Sequence, residues 1–180
     1  MAITIIIFFI LYMADQVSKY FTEILLIENQ TAIPLFGNLD IVKVTKIYNT
    51  GAAWGMLEDN TIILVVISAL ATILLAFMAS KNDWKANKFG SFTLTMALAG
   101  CVGNFYDRLV SIIPNLSQYR KGVVDMIQFQ PFDYLCELMH LKTTTFNVAD
   151  MFLVVGLILF AIDLIFFDER KKVKYAKNHN

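Results

Sequence analysis

The chain has 180 residues, of which 57% are hydrophobic and 17% charged, whereas an ordinary soluble domain is about half apolar and about a quarter charged. Its 15 basic residues balance 15 acidic ones, so no net charge favours nucleic acid as a partner. These values exclude an ordinary soluble domain and predict a single polytopic membrane domain over residues 1–180.

The first predicted element is a transmembrane helix at about residues 2–26. Ala2 to Ala14 carries no charge, and Asp15 and Lys19 follow toward the far end. A secretory signal peptide would begin with basic residues, but neither lysine nor arginine precedes Asp15. The segment is therefore predicted to remain in the membrane.

An extramembrane segment is predicted at residues 27–60, where Pro34 and Gly37 interrupt the chain. Residues 38–49 place Ile, Val, Thr and Tyr in partial alternation with lysine, which indicates short strands. The small, glycine-bounded stretch from Asn49 to Gly55 permits a close approach of backbone. It is predicted to be a binding loop.

Three further helices are predicted, at about residues 61–80, 89–108 and 147–167. Their uncharged runs are close to the ~20 residues that cross a bilayer. Residues 109–145 form a second extramembrane segment, and residues 168–180 form a polar tail.

The distribution of basic residues predicts the orientation of these four spans. Residues 81–88 and the tail together carry eight lysines and arginines, in short segments beside helix ends. The two long segments, 27–60 and 109–145, are poorer in basic residues. Because basic segments stay in the cytoplasm, both termini are predicted to be cytoplasmic, and the two long segments face outward.

This topology gathers the polar residues of three helices at the outer surface, and only Asp163 lies elsewhere. Those residues are Asp15, Lys19, Asn104, Asp107, Arg108, Asn147 and Asp150. An ionisable residue in or at the membrane is costly, which makes it a candidate for function.

Each polar group also has a purely structural interpretation. Asp15 and Lys19 are four residues apart and can form an ion pair at a helix end. The face of the third helix that runs from Gly100 to Arg108 can be a packing seam of small residues, ending in an arginine that reaches the interface.

Asn147 can cap the fourth helix, with Asp150 favoured by the dipole of its first turn. Asp125 changes this interpretation, because it lies in an apolar stretch of the outer segment that could be amphipathic or dip into the membrane. Two carboxylates held close share a proton, so that one acts as a base on water and the other as an acid. The sequence therefore predicts hydrolysis by Asp125 and Asp150.

The chain has few residues of the types that bind a metal ion or a cofactor. Cys101 and Cys136 lack metal-ligand spacing, and only two histidines are present. The sequence predicts no cofactor and no metal site.

Five motif blocks, taken in order, closely resemble those of the bacterial lipoprotein signal peptidases, also called signal peptidase II. The blocks are Asp15 to Lys19, Asn49 to Gly55, Gly100 to Arg108, Val123 to Asp125 and Phe146 to Asp150. Together they extend over nearly the whole chain.

The resemblance implies an aspartyl endopeptidase of the bacterial inner membrane. Such enzymes cut prolipoproteins before a cysteine that carries a diacylglyceryl group. It implies that Asp125 and Asp150 are catalytic, that residues 38–57 form a small sheet that cradles substrate, and that 109–145 closes over it. Further residues match positions that shape the site: Asp15, Lys19, Asn49, Gly100, Asn104, Arg108, Asn147 and Ala149. The expected partners are lipid-modified prolipoproteins and membrane lipids, with the chain itself a monomer.

The chain departs from the family pattern in three places. Trp54 stands where phenylalanine is usual, and Met126 follows Asp125 where an aromatic residue is common. Asp125 and Asp150 are 25 residues apart in the sequence, which is more than the family leads us to expect. The segment at residues 128–145 is the part that is longer.

Two other functions are considered. A small proton- or ion-coupled transporter would use intramembrane acids such as Asp163 as a relay. A scaffold without catalysis would tolerate neutral substitutions at the acids. The clustering of the other polar groups at the outer side argues against the relay.

Overall fold

The computed structural model describes the backbone of residues 2–30, 33–36, 39–52, 56–57, 60–118, 120–141 and 144–178. Within these ranges it also describes the side chains, except those of residues 35–36, 39–40 and 167–178. It contains five helices and four strands in this part of the chain. The helices are α1 (Ala2–Leu25), α2 (Thr61–Lys81), α3 (Lys88–Ile112), α4 (Gln130–Leu138) and α5 (Val148–Asn178). The strands are β1 (Ile33–Phe36), β2 (Leu39–Asn49), β3 (Val123–Phe129) and β4 (Thr145–Phe146).

The helix α3 is the centre of the helical bundle and packs against α1, α2 and α5. Its buried positions are mostly small or polar, which lets neighbouring backbones come close. A Cβ atom added at Gly156 of α5 would lie 2.7 Å from the Ala97 amide nitrogen and 2.8 Å from the Thr93 carbonyl oxygen. Gly156 therefore sets how closely α5 approaches α3.

The helices around α3 are the apolar ones. In the described part of the chain, α1, α2 and residues 148–166 of α5 are long and apolar enough to cross a membrane. Their isoleucine, leucine and phenylalanine side chains are largely exposed on the bundle surface, as expected of helices surrounded by lipid. The protein is therefore of the helical membrane class, as the sequence predicts.

The strands form one antiparallel sheet in the order β1-β2-β3-β4. Asp125 lies in the middle of β3, opposite Ile47 of β2, while Ile127 of β3 pairs with Phe146 of β4. The alternation in residues 38–49 thus correctly predicts a strand. The apolar stretch around Asp125 is also a strand.

The helix boundaries differ from those predicted mainly at α3 and α5. The helix α3 continues to Ile112, and α5 continues to Asn178 instead of ending near residue 167. Residues 169–172 are of types that favour a helix. The segment predicted at residues 109–145 also contains the helix α4. Trp54 and the end of the predicted binding loop lie outside the described residues.

Candidate active site

Two structural elements supply the aspartates of the site. Asp125 comes from the middle of β3, and Asp150 comes from the first turn of α5. The short strand β4 pairs with β3 and leads directly into α5. Pairing within the sheet therefore fixes the position of the α5 N-terminus relative to Asp125.

Asn147 connects the two aspartates. Its side-chain nitrogen Nδ2 donates to Asp125 Oδ1 at 2.6 Å. Its Oδ1 accepts from the backbone N–H of Asp150 at 2.9 Å, while its own backbone N–H donates to Asp150 Oδ2 at 3.0 Å. This reciprocal arrangement is a capping box. Asn147 therefore begins α5 and holds the Asp125 carboxylate with the same side chain.

Each carboxylate accepts a second hydrogen bond from another asparagine. Asn49 Nδ2 donates to Asp125 Oδ2 at 2.9 Å, and Asn104 Nδ2 donates to Asp150 Oδ1 at 2.7 Å. A carboxylate offers about four lone-pair positions. Both aspartates therefore keep acceptor capacity for a water molecule and a substrate.

The pKa of Asp125 is raised from its ordinary value to about 7. The main cause is burial, since the residue is only 2% exposed, and the second cause is the neighbouring Asp150 carboxylate. Burial and a nearby like charge both disfavour the ionised form. Near neutral pH, Asp125 can therefore hold a proton and release it, as an acid catalyst must.

A buried ion cluster lies behind the aspartates. The Lys19 ammonium lies 2.8 Å from Asp15 and 2.7 Å from Asp107, and all three side chains are fully buried. The same ammonium donates to Asn104 Oδ1 at 3.0 Å. Because Asn104 also donates to Asp150, the charge cluster orients the hydrogen bond that Asp150 receives.

The close packing of α3 and α5 completes the framework. The backbone N–H of Ala149 donates to Asp15 Oδ1 at 2.9 Å. A Cβ atom at Gly100 would collide with the carbonyl oxygen of Ala149. Glycine at position 100 therefore lets α5 approach closely enough for α1, α3 and α5 to share one polar centre.

The structure brings together nearly all of the site residues predicted from sequence. Joined by contacts are Asp15, Lys19, Asn49, Gly100, Asn104, Asp125, Asn147, Ala149 and Asp150. Arg108 is different, because its Nε atom is buried and has no hydrogen-bond partner in the described part of the chain.

Sequence reasoning missed Arg120 in this framework. Its guanidinium pairs with Asp107, donates to Gln16 at 3.1 Å and lies 3.6 Å from Glu23. Gln16 and Glu23 are in α1, about a hundred positions earlier in the sequence. No local pattern reveals such a pairing, although Asp107 has no basic residue three or four positions away in α3, which was a signal that its cation comes from elsewhere.

Comparisons with known proteins agree with this site. Residues 7–166 match the sequence profile of the signal peptidase II family. The chain is 36% identical over 167 residues to a lipoprotein signal peptidase of Enterococcus faecalis, an alignment that covers 91% of this chain and 87% of that protein. It is 29% identical over 172 residues to a lipoprotein signal peptidase of Fusobacterium nucleatum, with 96% and 92% covered.

Two solved structures of a bacterial membrane enzyme, determined by the in meso method, have similar folds. The structure at 2.3 Å resolution has a TM-score of 0.73 and 27% identity, and covers 92% of this chain and 88% of that one. The structure at 1.9 Å has a TM-score of 0.72 and 27% identity, with 92% and 94% covered.

The fold and the site define a helical membrane protein with a buried polar centre at one end of its bundle. Within that class, the chain belongs to the signal peptidase II family. It is accordingly a protease.

The buried ion cluster gives a prediction for stability. Lys19→Met leaves the carboxylates of Asp15 and Asp107 without their shared ammonium, and breaking a buried pair in this way costs about 3–5 kcal/mol. The unfolding midpoint of the purified protein should fall by many degrees. Lys121→Met is the matched control, because the Lys121 side chain is 64% exposed in its pair with Glu28 and should leave the midpoint unchanged. Equal midpoints for both variants would contradict a structural role for the cluster.

Proposed function

We propose that this protein removes the signal peptides of lipid-modified prolipoproteins, with Asp125 and Asp150 as its catalytic pair. The observation that carries the proposal is the hydrogen bonding of both carboxylates to Asn147. The relatives in Enterococcus and Fusobacterium are lipoprotein signal peptidases. By this proposal, cleavage occurs before a cysteine that carries a diacylglyceryl group, at the outer face of the inner membrane.

The two aspartates take different roles in the proposed reaction. Asp150 lies at a helix N-terminus, where the dipole favours an anion, so it accepts a proton from the attacking water. The water oxygen forms a bond to the carbonyl carbon of the scissile peptide. Asp125, with its pKa near 7, enters protonated and supplies a proton to the leaving amine nitrogen. The peptide bond then breaks to give a carboxylic acid and an amine, which leaves Asp150 protonated and Asp125 ionised. The next water molecule carries the proton from Asp150 back to Asp125 and so restores the starting pair.

The other predicted residues act as positioning groups in this proposal. Asn49, Asn104 and Asn147 orient the carboxylates through the hydrogen bonds described above. Asp15 and Lys19 support Asn104 and the start of α5, while Gly100 and Ala149 allow the helices to meet. Arg108 is proposed to face the substrate, since its Nε lacks a partner in the described part of the chain.

The proposed topology is one membrane domain of four spans, with α3 as the fourth span beside the three apolar helices. Both termini are cytoplasmic, the sheet and α4 lie outside, and residues 109–145 close over the bound substrate. The buried small and polar residues of α3 suit a span enclosed by other helices. In this proposal the chain acts as a monomer and contacts membrane lipids.

A proton- or ion-coupled transporter is not favoured. Asp163, its best support, accepts a hydrogen bond from Asn87 at 2.5 Å at the opposite end of the bundle. A relay needs further polar groups along the path between two sides. Between Asp163 and the aspartate pair, the packing of α3 is instead dominated by buried small and apolar residues such as Leu94, Ala97 and Cys101.

The proposed topology predicts that Lys85 and Lys121 lie on opposite sides of the membrane. Both side chains are exposed, whereas the native Cys101 and Cys136 are buried. In oriented vesicles, an impermeant maleimide should label Lys121→Cys from outside and Lys85→Cys only after lysis. Labelling of both variants from the same side would overturn the topology.

The aspartate pair is tested by neutral substitutions. Asp125→Asn and Asp150→Asn should each lower kcat/KM on a lipid-modified prolipoprotein by about 10³-fold or more, because each variant removes one of two cooperating groups. The assay follows release of the signal peptide by purified protein in lipid or detergent.

Asp163→Asn is the matched control, since it is another buried acid of α5 outside the site and should keep the parent rate. Full cleavage by either Asp125→Asn or Asp150→Asn would refute the pair. Cleavage of a prolipoprotein without the lipid modification at the parent rate would refute the proposed substrate class.

The raised pKa of Asp125 predicts a decline in activity at alkaline pH. Below about pH 7 the Asp125 carboxyl keeps its proton, and above that pH the proton is lost. Since the proposed acid must be protonated, kcat/KM should fall about tenfold per pH unit on this side. On the acid side it should fall as Asp150 becomes protonated, which gives a bell-shaped profile. A rate that stays constant from about pH 5 to about pH 9 is incompatible with these roles.

A further inference from the structure

A cavity of about 460 Å³ lies beside α4, outside the hydrogen-bond network of the two aspartates. Most of its lining residues carry a polar group, and they come from β3, α4 and the turn that follows. The lining residues are Gln128, Gln130, Asp133, Tyr134, Glu137 and Leu141. This part of the chain falls within the segment that is longer than the family leads us to expect.

Asp133 is the unusual residue of this cavity. It is only 6% exposed, yet neither carboxylate oxygen has a hydrogen-bond partner in the described part of the chain. A buried carboxylate without a partner is costly. Glu137 lies one helical turn later on the same face of α4. A cation in the cavity would offset the cost of burying Asp133 and would be attracted by both carboxylates.

The chemistry of the lining favours an organic cation over a metal ion. No group of three or more histidine, cysteine, aspartate or glutamate side chains among the described residues could hold a metal ion. The cavity is also far larger than the ~30 Å³ that one water molecule occupies. The side-chain oxygens of Gln128, Gln130 and Tyr134 can accept several N–H donors, which an ammonium or guanidinium group provides.

The cavity begins about 10 Å from Asp125 along β3, because Gln128 follows Asp125 by three residues. This odd spacing places the two side chains on opposite faces of the sheet, so a polypeptide bound at the aspartates reaches the cavity around the edge of the sheet. An extended polypeptide covers about 10 Å with about three residues, and the long side chain of a lysine or arginine adds to that reach. In the proposed topology, the part of the prolipoprotein after the cleaved bond lies outside the membrane, as does α4.

We infer that the cavity beside α4 is a substrate subsite, which binds a lysine or arginine side chain a few residues after the lipid-modified cysteine. This inference rests on the proposed function and adds a preference within it. Asp133 supplies the main countercharge, Glu137 supplies a second, and the glutamine side chains orient the cation. The subsite thereby selects among lipoproteins by the charge of their mature N-terminal segment.

The test uses prolipoproteins that carry lysine or glutamine at one position within about five residues of the modified cysteine. The full-length protein should cleave the best lysine substrate with a kcat/KM about tenfold higher than its glutamine counterpart, as expected for a partly buried charge-assisted contact. In Asp133→Asn this ratio should fall to about one. Glu28→Gln, which removes an outer acid away from the cavity, should keep the ratio of the parent.

Adding a free cation to the assay shows whether the cavity binds a charged side chain of the substrate or a separate small cation. Added n-butylammonium should raise KM for the lysine substrate with the parent protein and should have no such effect with Asp133→Asn. A lysine-to-glutamine ratio of about one in the parent would overturn the subsite, and so would a preference that survives in Asp133→Asn. If n-butylammonium raises KM only when Asp133 is present, and the parent shows no preference for lysine, the cavity binds a free cation and the substrate role is overturned.

The outcomes separate the inference from the proposed function. Cleavage of the glutamine substrate by the parent, together with its loss in Asp125→Asn, would establish the function whether or not the lysine preference is found. Failure of the parent to cleave either substrate would remove the proposed function and the subsite together.

Discussion

The side chain of Asn147 is the contact on which the candidate active site depends. It links a strand of the sheet to the first turn of a membrane helix, because its amide nitrogen donates to Asp125 and its amide oxygen accepts from the backbone N–H of Asp150 at the start of α5. The strand β3 and the helix α5 thereby hold their two carboxylates close together. An aspartate at this position would lose the donor to Asp125, and an alanine would lose every side-chain hydrogen bond of Asn147.

A contact of this kind requires a framework that holds α5 in place. Lys19 provides it together with Asp15, Asp107 and Arg120, and Glu23 lies 3.6 Å from the same arginine. Such a cluster is costly to bury, and complete pairing is what makes it tolerable. Its direct bond to Asn104 extends the framework to Asp150. The buried charge behind the site and the hydrogen bonds at the site are therefore parts of one arrangement.

The sequence predicts the four long helices, the first long strand and most of the candidate site, because these follow from local pattern and motif resemblance, whereas α4 was not predicted. Uncharged runs of membrane length identify α1, α2 and α5, and alternation identifies β2. The strand that bears Asp125 was harder to recognise, since its stretch of apolar residues fits several structures until its pairing with β2 is known. Arg120 was missed for a similar reason. Its partners lie far away in sequence, and only the fold brings them together.

Asp125 and Asp150 lie close enough that the charge of one should change the titration of the other. Carbon-13 NMR of the aspartate carboxyl carbons, followed through pH in the parent and in Asp150→Asn, measures this dependence. The Asp125 carboxyl should titrate at about pH 7 in the parent and at a lower pH in Asp150→Asn, because a neighbouring negative charge has been removed. The same Asp125 titration in both proteins would show that the two carboxylates do not act as a pair.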